Sequence, residues 1–165
     1  MAVRPIVMFP DPRLRTLAAP VELFDERLHA LANDLIDTMR AAPGIGITAP
    51  HIGVPARIVV LQLPGDPAPS VYVNPAIVWT SEERIRHSEG SVSMPGVSEE
   101  IERPARIRLR YADLNGAPQE EAAEGLRAVC HQHEIDQLDG VFWLQALSRL
   151  KRERLMKRYE KLRRM

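Results

Sequence analysis

The chain has 165 residues, 45% of them hydrophobic, enough to bury one proper core, so a single domain spanning 1–165 is expected. No apolar run approaches membrane-spanning length, no signal region follows residues 1–5, and the single cysteine, Cys130, rules out an internal disulfide framework. A reducing cytoplasm without a membrane partner is the expected setting.

Residues 4–9 form a short apolar segment closed by Pro10-Asp11-Pro12, an edge strand or an extended arm. Residues 25–40 read as an amphipathic helix, with Leu28, Leu31, Leu35, Ile36 and Met39 on one side, stopped by Ala41-Ala42-Pro43-Gly44. Residues 44–53 are glycine-rich and apolar, a loop suited to close backbone approach. Residues 57–63 are a buried strand by their β-branched content, and 65–69 a turn. Two short strands are expected at 70–73 and 76–80, separated by Asn74-Pro75. Residues 82–87 are polar and lead into Glu89-Gly90-Ser91-Val92-Ser93. Residues 106–113 alternate as a half-exposed strand before a turn at Asn115-Gly116. A central helix is expected over 121–139, ended by Gly140, and a last helix from about Ser148. Strands before and around one long helix make the class α+β.

The net charge of zero hides an asymmetry. Residues 146–165 carry nine Lys or Arg against two Glu, leaving 13 basic and 20 acidic residues in the rest. Such a basic helix suits an anionic partner such as RNA. Equally, it is a solvated helix whose other face (Leu147, Leu150, Leu155, Tyr159, Leu162) packs on the body. The two readings can coexist.

The central helix carries the most informative pattern. Its apolar stripe runs Leu126, Val129, Cys130, then His133, Glu134, Gln137 and Leu138, so three polar groups stand where the period calls for core. Burying them is costly unless they are satisfied. The stretch is one residue away from His-Glu-x-x-His, in which two histidines one turn apart hold a metal and the glutamate serves as general base. Gln137 takes the place of the second histidine. His131 is expected on an outer face, and Cys130 in core packing.

Three ordered stretches, GIGITAPH at 44–51, EGSVS at 89–93 and HEIDQ at 133–137, resemble the peptide deformylase motifs GxGxAAxQ, EGCxS and HExDH. Asp11-Pro12-Arg13-Leu14-Arg15 is also similar to that family. The resemblance implies its fold, with antiparallel or mixed sheets around a central motif helix and a C-terminal helix. It also implies the family reaction, removal of formyl from N-formylmethionyl peptides in protein biosynthesis. In the family a cysteine and two histidines bind iron, zinc or nickel, with water completing the site. Here Ser91, His133 and Gln137 occupy those positions. A serine hydroxyl keeps its proton and an amide oxygen suits hard cations, so no useful transition-metal site is expected. The resemblance gives His51 and the Val92 backbone amide the oxyanion role, and Glu134 that of acid and base. It gives Ile45, Gly46, Glu89, Gly90, Leu126, Val129, Cys130 and His133 the methionine pocket and peptide track.

The expected function is therefore a deformylase-like protein that keeps a pocket for a peptide N-terminus or small ligand without metal-dependent hydrolysis. Alternatives stay open: a hydrolase of changed chemistry using Ser91, His133 and Glu134, or a weak residual deformylase. Glu134 and His133 also have plain structural readings, as a buried carboxyl with raised pKa and a satisfied interior histidine. A Ser91–His133 nucleophile and base would still need an orienting third group. His51, His133 and Glu134 could also rebuild a metal site.

Overall fold

The structure, a computed structural model, describes residues 2–165. Three helices, α1 (Glu26–Ala41), α2 (Gly125–Leu138) and α3 (Arg149–Arg163), accompany seven strands. The strands are β1 (Gly46–Thr48), β2 (Ile58–Leu61), β3 (Ser70–Thr80), β4 (Arg84–Ser91), β5 (Met94–Pro104), β6 (Arg106–Ala112) and β7 (Pro118–Glu124). Five of them form an antiparallel sheet in the order β1-β2-β3-β6-β7, and β4 and β5 form a separate antiparallel hairpin. The expected α+β class, with a central helix and a C-terminal helix, is present.

Strand β2 explains why the sheet is a middle layer. Its alternate side chains go to opposite faces: Ile58 and Val60 pack with Leu28, Leu35 and Met39 of α1, while Val59 and Leu61 pack with Ala128 and Leu138 of α2. All four are fully buried, as a β-branched run without polar alternation demands. Helix α2 then lies between the sheet and the hairpin and packs against every one of the seven strands. A third core cluster joins Met94, Val97 and Ile101 of β5 to Leu155 and Tyr159 of α3, so the C-terminal helix roofs the hairpin.

Several elements differ from expectation. The central helix begins at Gly125, because residues 118–124 pair with β6 along its whole length. Gly125, at φ 60, makes the left-handed turn from strand to helix, a conformation that penalises any Cβ. The segment 70–80 is one strand, with an irregularity between Val73 and Ala76 that absorbs Asn74-Pro75. Asn74, at φ 51, uses its side chain to hold both backbone groups of Val21, at 2.8 and 2.9 Å. Residues 84–87 of the polar 82–87 segment belong to β4, whose outward positions face water. Part of the 44–53 loop is strand β1 followed by a 3-10 turn over Ala49–Ile52. Residues 4–9 are an extended arm and form no strand. Its amides bond the carbonyls of His51 (from Val7, 2.7 Å) and Ser93 (from Phe9, 2.8 Å).

On α3 the apolar face is narrower than expected. Leu147, Leu155 and Tyr159 are buried, but Leu150 and Leu162 are exposed. None of the helices is long and apolar enough to cross a membrane.

Candidate active site

A cavity of about 390 Å³ opens between β1, β4 and α2. Every pocket residue expected from the sequence lines it: Ile45, Gly46, Glu89, Gly90, Leu126, Val129, Cys130 and His133. His51, Ser91, Val92 and Glu134 line it too.

The α2 wall is polar by design of the helix period, with His133 and Glu134 on the inner face. Glu134 is 3% exposed and its Oε1 has no hydrogen-bond partner. Burial pushes its carboxyl up to about 7, with the positive charge on His133 opposing the rise. Gly46 makes room for this carboxyl, since a Cβ there would stand 2.7 Å from Glu134 Oε2. The glycine of the first motif is thus required by the acid of the third.

His133 is oriented from behind. Its Nδ1–H donates to Glu89 Oε1 at 2.8 Å, and its Nε2 lies 3.7 Å from Glu134 Oε1. Burial alone would lower its pKa, but the hydrogen bond to Glu89 and the two nearby carboxylates raise it. Glu89 is in turn held by Arg103, through both Nε and Nη2, the latter at 2.9 Å, while Nη1 of the same guanidinium bonds Asp136 at 2.9 Å. Arg103 and Glu89 are both buried, but the burial cost is outweighed at each: hydrogen bonds from His133 and Arg103 lower Glu89, and pairing with Glu89 and Asp136 raises Arg103. Arg103 was not legible as part of the site. In sequence it is one of many arginines, and only the β4–β5 register brings it across from Ile85 and near Glu89.

His51 comes from the 3-10 turn after β1. The Thr48 amide donates to its Nδ1 at 2.9 Å, and the Thr48 hydroxyl lies 3.0 Å from the same nitrogen. Nδ1 is therefore an acceptor, and the neutral ring carries its proton on Nε2. That Nε2–H is buried and unpartnered on the cavity wall. Burial, reinforced by the charge on His133, drives the His51 pKa down to about 3, so the ring is a neutral donor near neutrality.

Two positions depart from the expected cluster. Gln137 is buried but does not line the cavity: its Nε2 donates to the Leu14 carbonyl at 2.7 Å. His131 is 1% exposed, a correction to its expected outer face. The upstream strand β7 supplies Glu121 as its partner at 2.8 Å, and Tyr72 packs edge-on at 4.7 Å between ring centroids. Ser91 Oγ accepts the Ser93 amide at 3.1 Å. Cys130 is half-buried on the cavity wall, and burial pushes its thiol up to about 12, which leaves it unreactive near neutrality.

An antiparallel sheet and a central helix enclose this cavity, and residues 3–153 match the polypeptide deformylase family. The chain belongs to that family. A protein of Brucella suis biovar 1 (strain 1330) named peptide deformylase-like is 69% identical over 164 residues, covering 99% of this chain and all of its own. The same strain has a second relative, named peptide deformylase, that is 46% identical and covers 98% of this chain and 94% of its own. The crystal structure of a peptide deformylase from Legionella pneumophila superposes with a TM-score of 0.94 at 41% identity, over 99% of this chain and 96% of the other.

Proposed function

We propose that this chain is a deformylase-fold protein that receives peptide N-termini in the β1–β4–α2 cavity and has lost metal-dependent removal of formyl. The observation that carries this reading is the division of labour between retained and diverted residues. All eight expected pocket residues line the cavity, while Gln137, at a ligand position of the family, spends its amide on the Leu14 carbonyl. The donor set left for a cation does not suit iron, zinc or nickel. Ser91 offers a neutral hydroxyl and the Gln137 amide is turned to the Leu14 carbonyl, which leaves His133 alone of the three positions with a suitable donor. One strain of Brucella suis has both a peptide deformylase and a deformylase-like relative, and this chain is more similar to the second. That pattern fits a copy released from the original reaction.

In this reading the apolar wall of Leu126, Val129 and Ile45 takes the first side chain, and a peptide runs along Gly46 and Gly90 as an added strand. His51 Nε2–H meets a carbonyl oxygen. The setting is the cytoplasm, and the basic face of α3 contacts RNA. The test measures bound metal in the purified protein, then hydrolysis and binding of formyl-Met peptides with and without added iron, nickel or zinc. Binding without any metal-dependent gain in turnover is expected. Metal-dependent turnover that disappears in Glu134→Ala would overturn the proposal.

A further inference from the structure

We propose that Ser91, His133 and Glu89 form a metal-free acyl-transfer site, with Ser91 as the nucleophile toward an acyl group in the cavity. The substrate class, the acyl group of an N-acylated peptide, rests on the pocket reading above, whereas the chemistry goes beyond it.

A nucleophilic hydroxyl site needs a base beside it, a group that orients the base, and a donor for the oxyanion. Sequence reasoning found no orienting group for the Ser91–His133 pair. The fold supplies one: Glu89 Oε1 takes the His133 Nδ1 proton at 2.8 Å. Arg103 grips both oxygens of that carboxylate, so the imidazole is fixed with Nε2 as its remaining nitrogen. The arrangement is a base held by a buried carboxylate, the logic of a catalytic triad.

Ser91 stands on the same cavity wall, two residues along β4 from Glu89. Its Oγ accepts the Ser93 amide at 3.1 Å, a bond that leaves the hydroxyl proton uncommitted. The oxyanion donor is His51 Nε2–H, buried and without a partner. No hydrogen bond joins Ser91 Oγ to His133 Nε2 in this conformation. The pair must close when an acyl group enters, a tightening common at catalytic sites.

The chemistry balances without any added group. Ser91 Oγ bonds to the acyl carbon as its proton passes to His133 Nε2, and the carbonyl electrons move to the oxygen facing His51. The bond from the acyl carbon to the leaving amine or alkoxide then breaks, and His133 returns the proton to that leaving group. The O-acyl ester on Ser91 is cleaved by solvent water, whose proton goes to His133 and then to Ser91 Oγ. Glu89 stays ionised throughout and is a positioning residue.

The experiment uses the full chain treated with a chelator. A fluorophosphonate probe and p-nitrophenyl acetate report the nucleophile, and NMR titration with a formyl-Met peptide reports the pocket. Expected are a probe adduct mapped to Ser91, absent in Ser91→Ala, and a burst of p-nitrophenolate that this variant also loses. Glu89→Gln should slow the burst at least about tenfold and shift its dependence on pH, a change that a purely structural loss would not produce. Peptide binding without an adduct overturns the triad and spares the pocket reading. An adduct at Ser91 without peptide binding does the reverse. Ester turnover in Ser91→Ala at the original rate also overturns the triad.

Discussion

The side-chain amide of Gln137 donates to the backbone carbonyl of Leu14 at 2.7 Å, across 123 positions of sequence. This bond ties the last turn of α2 to the 3-10 turn of Pro12–Arg15. This residue, where the resembling motif has a second histidine, is here part of the scaffold. Replacing Gln137 with leucine should remove that donor from a buried carbonyl and cost about 1–3 kcal/mol. Urea denaturation of the two proteins measures the difference.

Metal affinity should respond to the pair of substitutions together. Ser91→Cys with Gln137→His would present a thiolate and two imidazoles, the donor types that zinc and iron select. The double variant is expected to retain stoichiometric metal through gel filtration, and each single variant to lose it. Elemental analysis of the eluted protein is the readout. Equal retention by the single variants would show that the remaining ligands suffice.

His51 is the one neutral donor aimed into the cavity from the β1 turn. His51→Phe keeps a flat ring but deletes the Nε2 proton. Affinity for a formylated peptide should fall about tenfold, the worth of one hydrogen bond near 1.4 kcal/mol, with little change for the peptide lacking formyl. Calorimetric titration of both peptides separates the two.

Glu121 offers a pH test away from the site. Burial would raise its pKa, but hydrogen bonds from His131 and Tyr72 and the charge of Arg127 outweigh it, so the net shift is downward. A carboxylate lowered by folding stabilises the native state above its ordinary value of 4.5 and loses that contribution as pH falls through the folded value. Stability should therefore drop on acidification below 4.5 less steeply in Glu121→Gln than in the original chain. Denaturant midpoints across that range check the slope.

The basic face of α3 should bind RNA in a salt-sensitive way, because each phosphate contact releases a counterion. Lys157, Arg158 and Lys161 are exposed. Replacing all three with glutamate should abolish binding to a labelled RNA and flatten its dependence on salt, without changing the melting temperature. Unaltered binding would remove the helix from the contact.

The three motifs and the α+β class were readable from the chain, and the residues of the pocket were implied by its resemblance to the deformylase family. Helix period alone put His133, Glu134, Val129 and Leu126 together, and all four line the cavity. Helix period could not say where Gln137 would find its partner, since Leu14 is brought near only by folding. His131 misled for the same reason: its polar partner Glu121 and aromatic neighbour Tyr72 come from other strands. Residues 121–124 were read as the start of the central helix, and pairing with β6 makes them strand instead. The amino acids themselves thus determined the chemical inventory: no thiolate or second histidine at the ligand positions. Tertiary structure alone decided how the remaining groups are used, because Arg103, Glu89 and His133 form a relay only once a hairpin and a helix are packed face to face.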